Sequence, residues 1–225
     1  MADRYKIYEQ LGVGGVGSVY RAYDTQLKRW VAVKRLLSRK EASQESEESR
    51  DALRQEADSR AALGHPNIVT SFDVGSDDEG LFMVMELLDG DDLADVVKRG
   101  PLPYEDFREL AYQTLEGLLA AHQHHFLHRD IKPENIKVDR LPGGRFQAKI
   151  IDFGLARMGL KARKQTEDVS GSVMGSVHYM APEQLTREPV DERTDLYSLG
   201  CVFYEAVSGK KAFDGSTMTE VVDKH

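Results

Sequence analysis

The sequence predicts an α+β fold with two lobes: an antiparallel β-sheet with one helix over residues 1–86, and a mainly α-helical lobe over residues 87–225. Short runs of β-branched and aromatic residues, which favour strands, concentrate in the first third of the chain. Long apolar stripes at helical spacing appear only after a turn-forming stretch that predicts a hinge near Glu86–Gly90. A chain of 225 residues is long enough to bury a core.

Four strands are predicted in the first lobe, each bounded by turn-forming residues. They span residues 18–23, 30–36, 68–74 and 81–86. Side chains alternate between the two faces of a strand, so Ala32 and Lys34 share one face of the second strand. The two valines beside them, Val31 and Val33, point the other way.

Three helices are predicted from apolar periodicity. In the first, apolar residues recur at every fourth position from Leu53 to Ala61, and Gly64-His-Pro-Asn67 ends the helix. The second carries a broad apolar stripe between residues 107 and 119. The third, residues 196–207, is apolar nearly all round, which predicts a helix buried on every side.

Composition restricts the possible functions. The formal net charge of −8 argues against a general nucleic-acid binder. The only cysteine is Cys201, so no internal disulfide is expected and a reducing compartment fits. The first residues lack an apolar signal core, and no apolar run reaches the length of a membrane span. These observations predict a cytoplasmic location for this sequence.

Two short motifs carry groups suited to phosphate chemistry. His128-Arg-Asp-Ile-Lys-Pro-Glu-Asn135 places an Asp, a Lys and an Asn on one loop, and Asp152-Phe-Gly154 follows after a short spacer. An aspartate can accept a proton from a hydroxyl, and a lysine can neutralise a phosphate. Carboxylate and amide oxygens are the ligands that Mg²⁺ prefers.

A glycine-rich motif, Gly12-Val-Gly14-Gly-Val-Gly17, precedes the first predicted strand. The same spacing marks dinucleotide-binding folds, but there the glycines open a helix. Here a strand follows, which disfavours an oxidoreductase and predicts a hairpin. Glycines in such a hairpin let the backbone approach phosphates without a Cβ clash.

With Val31-Ala-Val-Lys34, these motifs resemble the catalytic domain of eukaryotic-type (Hanks-type) serine/threonine protein kinases, of the kind also found in bacteria. The resemblance runs from about Tyr8 to the last residue. It implies a bilobal kinase fold and transfer of the γ-phosphate of ATP to Ser or Thr hydroxyls of protein substrates. It assigns Asp130 as catalytic base, Lys132 to the γ-phosphate, and Asn135 and Asp152 to Mg²⁺.

The resemblance also implies a nucleotide site in the first lobe. Lys34 would bind the α- and β-phosphates and pair with Glu56, for which the neighbouring Gln55 is the alternative. Met85 would lie at the back of the adenine pocket, and Asp92 or Asp91 would meet the ribose. The residues implied in ATP binding are Leu11, Gly12, Gly14, Gly17, Val19, Ala32, Lys34, Glu86 and Leu88.

Residues 152–183 would form an activation segment, in which phosphorylation regulates the enzyme. Ser170 is the first choice for the phosphosite, ahead of Ser172 and Thr166, with Arg129 expected to bind the phosphate. Self-association for trans-autophosphorylation is a further implied property. Ser176, where the family usually has threonine, would bridge Asp130 and Lys132.

A pseudokinase, acting as a nucleotide-binding scaffold, is the alternative function. Two departures from the family pattern favour it: Arg60 replaces an apolar residue, and the helices that normally follow are missing, which leaves Glu183 without its usual arginine. The sequence is therefore expected to be a truncated domain or a piece of a longer protein. The complete catalytic set argues for an active kinase.

The cluster from His122 to His128 is not expected to bind metal, because no cysteine or carboxylate completes a zinc site. His128 belongs to the catalytic-loop motif and His122 to the preceding helix end. His125 stands where the family has glycine, which predicts a left-handed backbone there.

Overall fold

The computed structural model describes residues 4–14, 17–38, 64–78, 80–153 and 175–225. They divide into two compact units. The first contains the described residues up to His65 together with Val69–Leu88, and the second contains Pro66–Ile68 together with those of Asp89–His225. The first unit is built on a sheet and the second mainly on helices, so the predicted α+β fold is confirmed.

The first unit is a five-stranded antiparallel sheet in the order β1-β2-β3-β5-β4. Its strands are β1 Tyr5–Gly14, β2 Gly17–Asp24, β3 Arg29–Ser38, β4 Ser71–Asp77 and β5 Gly80–Glu86. One face carries a buried apolar cluster formed by Tyr5, Ala22, Val31, Val33, Phe82 and Val84. Strand alternation therefore separates the core valines from Ala32 and Lys34, as predicted.

The strands predicted at 18–23, 30–36 and 81–86 are confirmed within β2, β3 and β5. The prediction for 68–74 is wrong at its start, because β4 begins at Ser71. Ile68 belongs to the second unit and forms a parallel bridge with Ile150 of the same unit. The Asn67 side chain holds this stretch by donating to the Ala148 carbonyl at 2.9 Å. The helix predicted from Leu53 to Ala61 lies outside the described residues.

The second unit combines a small sheet with five α-helices among its described residues. The strands are β6 Asp91–Asp92, β7 Ile136–Arg140 and β8 Phe146–Ile150. The helices are α1 Leu93–Lys98, α2 Tyr104–Gln123, α3 Pro182–Thr186, α4 Glu192–Ser208 and α5 Met218–Lys224. There are also two 3-10 turns in the described residues. Pro133–Asn135 forms the end of the His128–Asn135 motif, and Val177–Tyr179 precedes α3.

Helices α2 and α4 confirm the two helices predicted for the C-terminal lobe, but α4 is not buried all round. Leu199 and Val202 are buried, whereas Leu196 is 45% and Val207 47% exposed. Within the described part of the chain, α4 packs on the side that carries Leu199 and the 0% exposed Asp195. The prediction that α4 is buried on every side was therefore wrong. Leu196 and Val207 are apolar but exposed, while the buried side of α4 includes the polar Asp195.

Candidate active site

The β1–β2 hairpin positions the predicted phosphate-binding glycines in the first unit. Gly12 lies opposite Val19, and Gly14 lies opposite Gly17 at the closed end of the hairpin. Gly17 has φ +136°, and a Cβ added there would be 2.1 Å from the Arg35 carbonyl oxygen, so the fold itself requires glycine. A Cβ added at Gly12 would meet nothing within 4 Å. Packing within the described structure therefore does not require glycine at Gly12.

One face of the sheet gathers other predicted nucleotide ligands. Val19 is the cross-strand neighbour of Lys34, and Ala32 is the neighbour of Met85, so all four point to the same face. Lys34 is only 5% exposed. A buried ammonium needs an anionic partner, and its predicted partner, Glu56, lies outside the described residues.

The remaining ligands predicted in the first unit are Leu11 within β1, Glu86 at the end of β5, and Leu88 just after it. Leu11 falls at a register shift between β1 and β2 and is 49% exposed. The Glu86 N–H donates to the Thr70 carbonyl at 3.0 Å, and its carboxylate accepts from the Thr70 N–H at 2.7 Å. A ligand at this stretch would therefore be met by other backbone groups between Glu86 and Leu88.

In the second unit, the catalytic motif brings three predicted residues into contact. Asn135 Nδ2 donates to both the backbone oxygen and Oδ2 of Asp130, at 2.7 and 2.9 Å. Lys132 Nζ lies 3.5 Å from the same Oδ2 and donates to Ser176 Oγ at 2.9 Å. Asp130 is thus a carboxylate fixed in orientation, with a cation beside it.

Backbone hydrogen bonds place Asp152 next to this cluster. The N–H of the preceding residue, Ile151, donates to the Asn135 carbonyl at 2.9 Å. The Ile151 carbonyl accepts from His128 Nε2 at 2.8 Å, and the Phe153 ring meets His128 edge-on with centroids 4.7 Å apart. Asp152 itself has φ +64°, a conformation that non-glycine residues rarely adopt. Such outliers persist where surrounding contacts determine them.

Asp195, at the start of α4, holds the backbone that leads into Asp130. Its carboxylate accepts from the N–H groups of His128 and Arg129 at 2.8 and 2.7 Å, and His122 Nε2 lies 2.9 Å away. Burial alone would raise the pKa of this carboxyl. The hydrogen bonds from His122 and from the two backbone N–H groups outweigh burial, so the pKa of Asp195 is lowered. Asp195 is therefore an anion that stabilises the catalytic loop.

The sequence model of one family, described as the protein kinase domain, matches residues 5–225. The chain belongs to the protein kinase domain family. A probable serine/threonine-protein kinase of Clostridium acetobutylicum is 39% identical over 228 residues, which cover 100% of this chain and 33% of that protein. Serine/threonine-protein kinase PrkC of Bacillus subtilis is 36% identical over 226 residues, again 100% of this chain and 33% of the relative. The chain thus spans about a third of the length of these relatives.

The fold of this kinase domain is also similar to a solved structure. The crystal structure of Rad53 1-466 in complex with AMP-PNP matches with a TM-score of 0.77 and 28% identity. The match covers 99% of this chain and 53% of that one. Among the residues that the structure describes, none of the helices is both long and apolar enough to cross a membrane.

Within the second unit of the kinase domain, side chains that sequence reasoning missed fix the stretch from Gly175 to Thr186 to α4. The Tyr179 hydroxyl donates to Glu205 of α4 at 2.5 Å, and burial raises the pKa of Tyr179. Glu183, expected to lack the family's usual arginine, accepts a hydrogen bond from the Thr194 hydroxyl. The acceptor is therefore met by a threonine on α4, whereas the expectation concerned the family's usual arginine.

The remaining residues named from the sequence are either located by the structure or lie outside its described part. His125 has φ +60°, which confirms the left-handed backbone. Asp91 and Asp92 form ion pairs with Arg99 and Lys137 respectively. Several predicted residues fall outside the described part of the chain and are not tested by the structure, namely Arg60, Gly154, Thr166, Ser170 and Ser172.

Proposed function

We propose that this chain is the catalytic domain of a protein serine/threonine kinase, which transfers the γ-phosphate of ATP to Ser or Thr hydroxyls of proteins. One observation carries the proposal: Asp130, Lys132 and Asn135 meet in one hydrogen-bonded cluster, with Asp152 tied beside it through Ile151. The relatives' names support the same activity, since they are called serine/threonine-protein kinases.

In this proposal, Asp130 accepts the proton of the substrate hydroxyl. Its Oδ2 receives a hydrogen bond from Asn135, which orients the carboxylate. Lys132 places a positive charge 3.5 Å from that carboxylate, where it can neutralise a phosphoryl group during transfer. Ser176 keeps the lysine in place by accepting from its Nζ.

Asn135 and Asp152 fit the binding of Mg²⁺. Asn135 uses Nδ2 to donate to Asp130, so its Oδ1 is the amide atom suited to a cation. Together with the Asp152 carboxylate, it offers the oxygen ligands that Mg²⁺ prefers. When bound, the metal would neutralise negative charge on the phosphates.

ATP is the proposed phosphate donor, held in the first unit by the glycine hairpin and the Val19–Ala32–Lys34 face. Gly12 supports this assignment, because no described residue occupies the space that a Cβ would fill there, and packing among the described residues does not explain the glycine. Lys34, carried on β3, supplies a positive charge for the phosphates. The match to Rad53 bound to AMP-PNP is consistent with this role.

Regulation by phosphorylation is part of the proposal, with Ser170 as the first candidate and Ser172 and Thr166 next. Arg129 supports it, because its Nε is buried without a hydrogen-bond partner among the described residues. A phosphate oxygen would satisfy that donor. Intact mass after incubation with ATP should show added phosphate that maps to residues 152–183. If the rate at which each chain gains phosphate rises with protein concentration, the chains phosphorylate one another, which would indicate self-association.

A cytoplasmic location is also part of the proposal, and the phosphate donor and the single cysteine support it. ATP is a cytoplasmic metabolite, and Cys201 is a free, buried thiol. Burial raises the pKa of that thiol to about 11, so it stays protonated and unreactive at neutral pH. We therefore place this domain in the cytoplasm.

The decisive experiment is transfer of labelled phosphate from ATP to a generic protein substrate in the presence of magnesium. We expect Asp130→Asn to lower kcat about 10²–10⁴-fold, the usual contribution of general-base catalysis, with little change in ATP affinity. Asp139→Asn, on the neighbouring strand β7, is the matched control and should retain turnover. Nucleotide binding without transfer in the unaltered chain would instead establish the pseudokinase.

A further inference from the structure

The peptide bond that leads into the catalytic aspartate is held at both of its polar groups. Its N–H, which belongs to Asp130, donates to His128 Nδ1 at 3.2 Å. Its carbonyl, which belongs to Arg129, accepts from Gln184 Nε2 at 2.8 Å. Because a peptide bond is planar, fixing these two groups fixes the plane from which the Asp130 side chain departs.

This plane needs support, because the residue before it is strained. Arg129 has φ +66°, a left-handed conformation that costs free energy for a residue with a Cβ. Asp195 holds the N–H of Arg129, but that contact leaves the orientation of its carbonyl undetermined. Gln184 supplies the second hold from a different element, the first turn of α3.

The orientation of the Gln184 amide is set by its own helix. Its Oε1 accepts from the Ala181 N–H at 3.0 Å, which is a capping contact at the start of α3. With Oε1 turned to a donor, Nε2 faces the Arg129 carbonyl and can only donate to it. One side chain therefore satisfies an unpaired N–H of the helix start and a carbonyl of the catalytic loop at once.

We propose that Gln184 is a positioning residue for catalysis, which couples the folded end of the activation segment to the peptide plane of Asp130. The proposal rests on the kinase activity inferred above. Gln184 touches no reacting atom and acts through the Arg129 carbonyl. When α3 is folded onto the catalytic loop, the plane is fixed; when Gln184 is withdrawn, the Arg129 carbonyl loses its donor.

Two substitutions separate this role from simple capping of α3. Gln184→Glu keeps an oxygen that can accept from Ala181 N–H but presents no donor to the Arg129 carbonyl at neutral pH. Gln184→Met has similar length and loses both contacts. Thr186→Ala is the control on the same helix, since its hydroxyl donates to the Pro182 carbonyl at 3.1 Å, within α3 itself.

We expect both Gln184 variants to lower kcat roughly tenfold, which corresponds to the loss of one well-placed hydrogen bond, with KM for ATP unchanged. Gln184→Glu should lower the melting temperature less than Gln184→Met does, because it keeps an acceptor for the Ala181 N–H. Thr186→Ala should keep the kcat of the unaltered chain. Normal kcat in Gln184→Glu with a loss only in Gln184→Met would overturn the proposal in favour of capping. A fall in kcat matched by Thr186→Ala would also overturn it.

Hydrogen exchange tests the same contact without relying on activity. The Asp130 amide should exchange faster in both Gln184 variants and at the original rate in Thr186→Ala. Unchanged exchange in both variants would overturn the proposal even if kcat fell. If the unaltered chain transferred no more phosphate than Asp130→Asn, only the kinase proposal would fail. The exchange rates would still report on the Gln184 contact.

Discussion

The catalytic loop and the glycine hairpin, both recognisable as short motifs, are held by different kinds of interaction. In the loop, between His128 and Asn135, buried side chains from distant parts of the chain fix the backbone, as Asp195 does. In the hairpin, ordinary pairing between β1 and β2 fixes the backbone, with Gly12 opposite Val19. The loop should therefore depend on single polar side chains, and the hairpin on backbone conformation.

This difference reflects the conformations that each region requires. Arg129 and Asp152 both have positive φ without being glycine, so long-range contacts must stabilise them. Among the described residues of the hairpin, the positive φ falls on Gly17, where it costs little. Each of the predictions below tests one side of this contrast.

The largest effect is expected for Asp195→Asn. An amide cannot accept from two backbone N–H groups and His122 as a carboxylate does, so we expect a loss of about 3 kcal/mol in the free energy of unfolding. Turnover should fall as well, because the Arg129 N–H loses its acceptor. Thermal and urea unfolding followed by far-ultraviolet circular dichroism would measure the loss.

Asp191→Asn is the matched control for Asp195→Asn. Asp191 caps the same helix by accepting from the Arg193 N–H at 2.9 Å, and asparagine caps about as well as aspartate. We expect its stability and activity to remain near those of the unaltered chain. Equal losses in the two variants would show that the contribution of Asp195 is only to the helix start.

The stability difference between the unaltered chain and Asp195→Asn should depend on pH. The pKa of Asp195 is lower in the folded state than the ordinary value of about 3.9. The resulting stabilisation is present in full above that ordinary value and is lost as pH falls through the folded pKa. Melting temperatures measured from neutral to acidic pH should therefore converge below about pH 4. A gap that widened on acidification would contradict the assignment of Asp195 as a stabilising anion.

In the hairpin, Gly17→Ala should destabilise the first unit by about 2 kcal/mol, because alanine disfavours positive φ and its Cβ would collide with the Arg35 carbonyl. Gly12→Ala should leave stability unchanged and weaken ATP binding instead. Urea unfolding followed by the fluorescence of Trp30, the chain's single tryptophan, would measure the first effect. Normal ATP affinity in Gly12→Ala would remove Gly12 from the proposed nucleotide site.

The sequence alone predicted the parts of this fold that depend on local patterns. The alternation in β3 separated Val31 and Val33 from Ala32 and Lys34, and β3 has that arrangement. Strand β4 was predicted three residues too early, because Ile68 has strand-forming character but pairs with Ile150 instead. Local propensity cannot distinguish a β-strand from an isolated bridge to a distant strand.

Contacts between distant elements could not be predicted either, because local patterns do not show how elements pack. Nothing in the sequence shows that Thr194 would meet Glu183, or that Glu205 would meet Tyr179, since these pairs depend on how α4 packs. Gln184 could have been found in part, because a glutamine three residues after a helix start is half of the capping-box pattern, although Ala181 replaces the usual Ser or Thr. Its second contact, with the Arg129 carbonyl, required the folded structure.

The smallest effect is expected at Ser176, whose hydroxyl accepts from Lys132 Nζ at 2.9 Å. Ser176→Ala should lower kcat roughly fivefold, because Lys132 loses one of its two oxygen neighbours while Asp130 remains. Ser176→Thr keeps the hydroxyl and should restore turnover. Ser198→Ala is the control: it removes an equally buried hydroxyl that donates to the Thr194 carbonyl at 3.1 Å within α4. If Ser176→Ala kept full activity, the lysine would be held by Asp130 alone, and the loop would depend less on its neighbours than the contrast with the hairpin implies.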